Sequence, residues 1–328
     1  MKNFTRAGFF LALLLLAPPS YTATPLTRIV MTTGSFSERE GVVYVAEDQG
    51  FFRKYGIDLS FVQVRSGPVG MSALASGESQ FHWGSVTAAN LGAIAEGVDL
   101  VFIAGFINRL TGAFVVNPKI KSPQELKGRT LGVNSLSGGG WMFTMLALDH
   151  WGLDPKRDGI SIRALGSDGV RADALSSGVI DACQIGYTFA ALLQNKGFRV
   201  LADLEKLPIQ YQGSGLMARR AFVTSSPAVV ENTLRGLLDA VAFIRNRENK
   251  AAVMKSLARG LRLSRVEDAE QGYQRIVDIY EKKIYPSTDG IANVIRLLGQ
   301  TNEKIKRLKA EDLVDTSAVR KLEREGRF

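Results

Sequence analysis

The chain is nearly without cysteine and histidine. Cys183 is the one cysteine in 328 residues, so no internal disulfide can form. The two histidines, His82 and His150, lie far apart in sequence, with no cysteine or carboxylate at ligand spacing, so no metal site and no cofactor is expected. After the first residues no stretch reaches the roughly 18 unbroken apolar residues that a membrane-spanning helix needs. No low-complexity linker interrupts the chain. The three glycines of "NSLSGGGW" are not followed by the Lys-Ser/Thr of a nucleotide-binding loop, nor spaced as in a dinucleotide-binding turn. The strand-end loops hold no Ser-His-Asp set and no paired carboxylates, so an enzyme is not expected. The formal charge is +9, but the basic residues are dispersed, and the densest groups, "EKIKRLK" and "VRKLEREGR", are mixed with glutamate. Such groups are solvated helix faces, and no nucleic-acid partner is expected. A general attraction for small anions remains.

What is present begins with an export signal. Lys2 and Arg6 precede the apolar run Ala7–Ala17, which Pro18 and Pro19 end; cleavage is expected after Ala23. No cysteine follows the run to carry a lipid, so the expected location is the periplasm. Beyond it, one phrase occurs twice. Ser66, Val69, Ala73, Leu74, Ser76 and Gly77 recur as Ser167, Val170, Ala174, Leu175, Ser177 and Gly178. Two copies are too few for a solenoid and point instead to two similar lobes.

Around each copy, strand patterns alternate with helix patterns. "TRIVMTTG", "IDLSFVQV", "SQFHWG" and "LVFIAGFI" read as strands; "REGVVYVAEDQGFFRKYG" reads as one helix closed by Gly56. The pattern restarts with "TLGVNS", "SIRALG" and "DACQIG". After "YQGSGLMARRAFV" the chain becomes almost wholly helical. Alternation of this kind implies α/β layers and a mainly parallel sheet in each lobe. Ligands bind beyond the carboxyl ends of such strands, where helix starts offer free N–H groups.

The phrases "VAEDQGFFRKYGIDLSFV", "ALASGESQFHWG", "SPQELKGRTLGV" and "ALSSGVIDA", with the helical tail, resemble bacterial periplasmic substrate-binding proteins. The resemblance is to those of ABC importers for nitrate, sulfonates, taurine and thiamin-precursor pyrimidines. It implies the two-lobed type 2 periplasmic binding protein fold, each lobe a sheet flanked by helices, with a helical C-terminal region. The expected division is a signal at 1–23, a first lobe of 24–112 and 218–328, and a second lobe of 113–217. Crossovers are expected near Thr111–Phe114 and Gln212–Arg219. The implied function is capture of a solute by a monomer and its delivery to an ABC permease and ATPase. A periplasmic ligand sensor, or a pyrimidine binder or enzyme-like relative, stands as the alternative.

The candidate ligand-binding residues lie in the strand-end loops. Ser35, Phe36, Ser66 and Gly67 follow the first two strands. Trp83, Gly84 and Ser85 end the third, and Trp83 could stack on a planar ligand. Ser137, Gly138, Gly139, Gly140 and Trp141 form the glycine-rich loop. Ser167, Asp168, Tyr187 and Thr188 are the second lobe's counterparts. Asn108 and Arg109 precede the first crossover, and the planar fork of Arg109, or of Arg65, suits a sulfonate or carboxylate. Helix starts and arginines favour an organic anion; Trp83, Trp141 and Tyr187 favour one with an apolar or planar part, a sulfonate or aromatic carboxylate. Each ring contributes only where it faces the cleft.

Overall fold

The computed structural model describes residues 25–328, and the expected export signal lies outside them. The first half builds β1 (Thr27–Thr33), α1 (Gly41–Asp48), α2 (Phe51–Lys54), β2 (Ile57–Gln63), α3 (Gly67–Ser76), β3 (Phe81–Gly84), α4 (Ala88–Ala95) and β4 (Leu100–Arg109). The middle builds β5 (Ala113–Val116), β6 (Thr130–Val133), α5 (Gly139–His150), β7 (Ser161–Ala164), α6 (Asp168–Ser176), β8 (Ala182–Ile185), α7 (Tyr187–Asn195) and β9 (Arg199–Asp203). Then β10 (Gln210–Arg219) leads to α8 (Arg220–Ser225), α9 (Pro227–Arg245), α10 (Lys250–Leu261), α11 (Glu270–Ile279), α12 (Thr288–Gly299), α13 (Glu303–Lys306) and α14 (Ser317–Arg324).

The strands form two five-stranded sheets, ordered β2-β1-β3-β10-β4 and β7-β6-β8-β5-β9. The orders match position for position, so β1, β2 and β3 correspond to β6, β7 and β8. In that frame α3 corresponds to α6, and the duplicated phrase is this helix with its exit turn. Its Ser-Gly ending is explained by the turn: Gly77 and Gly178 hold φ of +87° and +75°, a left-handed conformation that stops a helix and favours glycine.

Both sheets are mixed rather than mainly parallel. β1 pairs in parallel with β2 and β3, and β6 with β7 and β8. β10 runs antiparallel between β3 and β4, and β5 antiparallel between β8 and β9. Each antiparallel strand reaches its sheet after a crossover, so its direction is set by the return path. The segment expected as the second crossover is therefore β10 itself, and the connection between sheets lies earlier, at residues 204–209. The helix expected to run to Gly56 also breaks: Gly50, at φ +70°, separates α1 from α2.

β4 ends its sheet, yet its first eight residues are buried. An exposed edge of that kind would invite pairing with another chain. The C-terminal region covers it, with Val314 bridging to Phe102. Burial of Leu237, Val241, Val253, Leu257, Tyr273 and Ile276 against Val42, Val45, Trp83 and Phe106 fixes the C-terminal helices on the first sheet.

Candidate functional site

The parallel strands of both sheets end at one place. The loops after β1, β2, β6, β7 and β8 enclose a cavity of about 300 Å³ between the sheets. The first sheet contributes Gly34–Arg39 and Gln63–Arg65; the second contributes Asn134, Gly140, Gly166–Asp168, Arg171, Gln184 and Gly186. Thr111 and Gly112, in the link from β4 to β5, join the lining. A smaller chamber of about 30 Å³ shares Gly34, Ser35 and Arg39 with it. That chamber extends inward to Gly67, Trp83, Gly84, Ser85, Thr87, Gly138 and Gly139. These residues include the first residue of α3 and the cap of α5, neither helix having a side-chain cap. Their free N–H groups favour negative charge.

Arg39 stands where the two spaces join. It is 7% exposed, yet among the described residues no carboxylate oxygen lies within the 4.0 Å of an ion pair. Its Nε donates to Ser37 Oγ at 3.1 Å and its Nη2 to Ser35 Oγ at 2.9 Å. The guanidinium lies 4.6 Å from the centre of the Phe143 ring. Ser37 is held in turn by Glu40, in a capping box that fixes the loop after β1. Trp83 lines the chamber, and its buried Nε1–H has no hydrogen-bond partner among the described residues.

Two acids face the start of α7. Asp168 Oδ2 accepts from Gly186 N–H at 2.7 Å, and its other oxygen accepts from Arg171. Glu38, from the first sheet, accepts from Tyr187 N–H at 2.6 Å through Oε1, so the two halves of the molecule touch across the cavity. Burial, then the neighbouring Asp168 charge, pushes the Glu38 carboxyl up to about 7. Asn134 Nδ2, donating to Gly34 O at 3.4 Å, and Ala89 N–H, donating to Ser137 O at 3.2 Å, add further bridges.

Of the residues expected from sequence, Ser35, Phe36, Gly140, Ser167 and Asp168 line the larger cavity. Gly67, Trp83, Gly84, Ser85, Gly138 and Gly139 line the inner chamber. Ser66, Asn108, Arg109, Ser137, Trp141, Tyr187 and Thr188 line neither. Ser66 contributes backbone beside Gly34, and Ser137 a carbonyl to Ala89. Asn108 is bonded to Tyr285 O at 2.9 Å, and Arg109 is spent on Glu205 and Glu281 at 2.9 and 3.1 Å. Thr188 is buried against Gly272.

None of the three expected rings lines the larger cavity. Trp83 is fully buried and packs on Phe106 at 5.2 Å. Trp141 lies in another groove, beside Leu297 and Leu298. Tyr187 gives its hydroxyl to Asp203 at 2.6 Å and its ring face to Arg275 at 4.4 Å. The expectation of a planar ligand loses its basis, and Phe36 is the aromatic residue in the lining. Sequence reasoning missed Glu38, Arg39, Asn134, Arg171 and Gln184. The signal for the first two was position: "SERE" follows the first strand, where the topology demands a cleft loop, yet four such residues look like a solvated helix start.

The sheet order and the interlobe cavity define a periplasmic-binding-protein fold. The family model described as NMT1/THI5 like matches residues 40–251, and the chain belongs to that family. A Brucella abortus (strain 2308) protein, provisionally named a binding protein, is 24% identical over 206 residues. The match covers 62% of each chain, so the chain spans under two thirds of that relative's length. The alkanesulfonate-binding protein of Xanthomonas axonopodis pv. citri, bound to MOPS, superposes with a TM-score of 0.74 at 19% identity, over 90% of this chain and 100% of that one. The periplasmic nitrate-binding protein of Synechocystis PCC 6803 gives 0.73 at 13%, over 92% and 89%. A desulfurization enzyme shares the fold more distantly, at 0.60 and 16%, over 91% and 99%. Among the described residues no helix is long and apolar enough to cross a membrane, and no cluster of three metal-ligating side chains occurs.

Proposed function

We propose that the chain is the periplasmic solute-binding component of an ABC importer and that its solute is a small organic acid, a sulfonate or carboxylate. The observation that carries this reading is Arg39: a buried guanidinium with no carboxylate within ion-pair distance, lining both the larger cavity and the inner chamber. Burying a charge without a partner is costly, and a bound acid supplies the partner. The uncapped starts of α3 and α5 add donors around the inner chamber, which suits the acid group; the body of the solute takes the larger cavity. A space of about 300 Å³ exceeds what nitrate needs. A fold neighbour that binds alkanesulfonates supports the same class. The lobes are proposed to turn about residues 110–112 and 204–209 and to close on the solute.

The test is thermal unfolding of the protein, first unfolded and refolded to strip carried-over ligand, against alkanesulfonates, carboxylates and nitrate. A solute at 100 times its Kd adds about 2.7 kcal/mol of stability. Arg39→Ala is expected to weaken the active class roughly 10- to 100-fold, as loss of a charged hydrogen bond does. An unchanged affinity in Arg39→Ala would remove the acid reading.

A further inference from the structure

His82 lines the inner chamber and is 6% exposed. Two glycines make room for its ring. A Cβ on Gly70, in α3, would lie 2.8 Å from Cε1, and one on Gly84, at the end of β3, would lie 3.0 Å from Nε2. The Nε2 edge therefore lies beside a residue that itself lines the chamber. The other edge is taken: Nδ1 is 2.9 Å from Thr32 Oγ1. Nε2 has no hydrogen-bond partner among the described residues and, unlike Trp83 Nε1, is not sealed from solvent. Thr32 decides which nitrogen carries the ring proton. The other acceptor for its hydroxyl is Phe81 O at 3.5 Å, the far limit of a hydrogen bond. Donation to Nδ1 is the stronger use of that hydroxyl, and it leaves the proton on Nε2. Burial pushes the ring down to about 4, so it is neutral near pH 7.

We propose that His82 is a second binding residue for the acid group of the solute: a neutral donor whose Nε2–H bonds to an acid oxygen, held in that tautomer by Thr32. The proposal rests on the acid-solute reading above and deepens it. Arg39 brings a charge to the chamber, and His82 brings a donor without one. One guanidinium thus still answers one acid charge, while the ring fixes where the acid oxygen sits. A hydrogen bond to an ionised oxygen is strengthened by that charge even when the donor is neutral. Thr32 touches no solute in this scheme and is a positioning residue.

The first measurement needs no solute. The chain has two histidines, so long-range proton–nitrogen NMR of the ligand-free, nitrogen-15-labelled protein reads the His82 tautomer, with His150→Gln to assign it. A proton on Nε2 is expected; a proton on Nδ1 would overturn the proposal. In Thr32→Val the ring should become a mixture of tautomers, and an unchanged ring would strike Thr32 from the scheme. The second measurement is isothermal titration of the ligand-stripped chain with ethanesulfonate and with propanoate. His82→Leu is expected to weaken the acid that binds by about tenfold or more, and His82→Gln, whose amide N–H can replace Nε2–H, by about threefold or less. Far-ultraviolet circular dichroism confirms the fold of each variant. Native affinity in His82→Leu would overturn the proposal, and so would equal losses in both variants. In either case acid binding by the native chain would leave the acid reading standing. If neither acid binds the native chain, that reading fails, and the role of His82 with it.

Discussion

Gly186 is where the two cleft acids meet, and its lack of a side chain has a measurable cost attached. A Cβ would overlap Glu38 Oε2, so Gly186→Ala must push the first-sheet loop away from the start of α7. Overpacking of this kind costs about 1–3 kcal/mol. Gly178 is a useful contrast. Its φ is +75° and nothing lies within 4 Å of an added Cβ, so Gly178→Ala meets only the backbone penalty, about 1–2 kcal/mol. Denaturant unfolding of both variants should show comparable losses of stability. Solute affinity should separate them, because only Gly186→Ala displaces a cavity residue; it is expected to drop about tenfold or more in Gly186→Ala and to hold in Gly178→Ala. A loss of affinity in both would mean that the exit turn of α6 also shapes the site.

Arg109 shows the same distinction for a whole element. It sits at the end of β4 and ties that strand to the turn before β10 through Glu205, and to the segment after α11 through Glu281. It is about one third exposed, so the pairs are partly screened. Arg109→Met is expected to cost roughly 1 kcal/mol in denaturant unfolding and to leave solute affinity unchanged. A large loss of affinity would return Arg109 to the site. Its misplacement marks the boundary of what sequence carries here. Strand–helix alternation and the duplicated Ser-Gly turn are local patterns, and they made the two α/β sheets legible. Topology then pointed to Ser35, Phe36, Ser167, Asp168 and the glycine run as cleft loops. The position of β10 between β3 and β4 is a tertiary choice, invisible in a run of ten residues. The burial of Glu38 and Arg39 depends on a second sheet that begins more than 70 residues further along the chain, and ring direction at Trp83 and Tyr187 depends on packing partners. What sequence lacked was the partner of each polar side chain, and those partners separate Arg109, held by Glu205 and Glu281, from Arg65, which lines the cavity.

At the scale of the whole molecule, two buried titratable groups oppose one another. Glu38 has its carboxyl raised from 4.5 to about 7, mainly by burial. The folded state then holds the proton more tightly than the unfolded chain, so this stability is present below pH 4.5 and is lost as pH rises toward 7. The loss is about 3 kcal/mol at about 1.4 kcal/mol per unit. His82 runs the other way. Buried beneath α3, with Nδ1 2.9 Å from Thr32 Oγ1, it is lowered from 6.5 to about 4 by burial. The folded state resists its protonation, so that stability is present above pH 6.5 and is lost as pH falls toward 4, again by about 3 kcal/mol. The two windows overlap between about pH 4.5 and 6.5, where the slopes offset each other. Glu40 and Glu47 are also raised, so absolute curves mix several groups. Difference curves separate them. For the ligand-free protein, the stability of the native chain minus that of Glu38→Gln should fall by about 3 kcal/mol from pH 4.5 to 7. The same difference against His82→Gln should rise by about 3 kcal/mol from pH 4 to 6.5. Urea unfolding at half-unit steps of pH measures both. A flat Glu38 difference would mean that the carboxyl is already matched within the ligand-free cleft. A falling one would put that charge, and the energy of leaving it unmet, in the empty protein before any solute arrives.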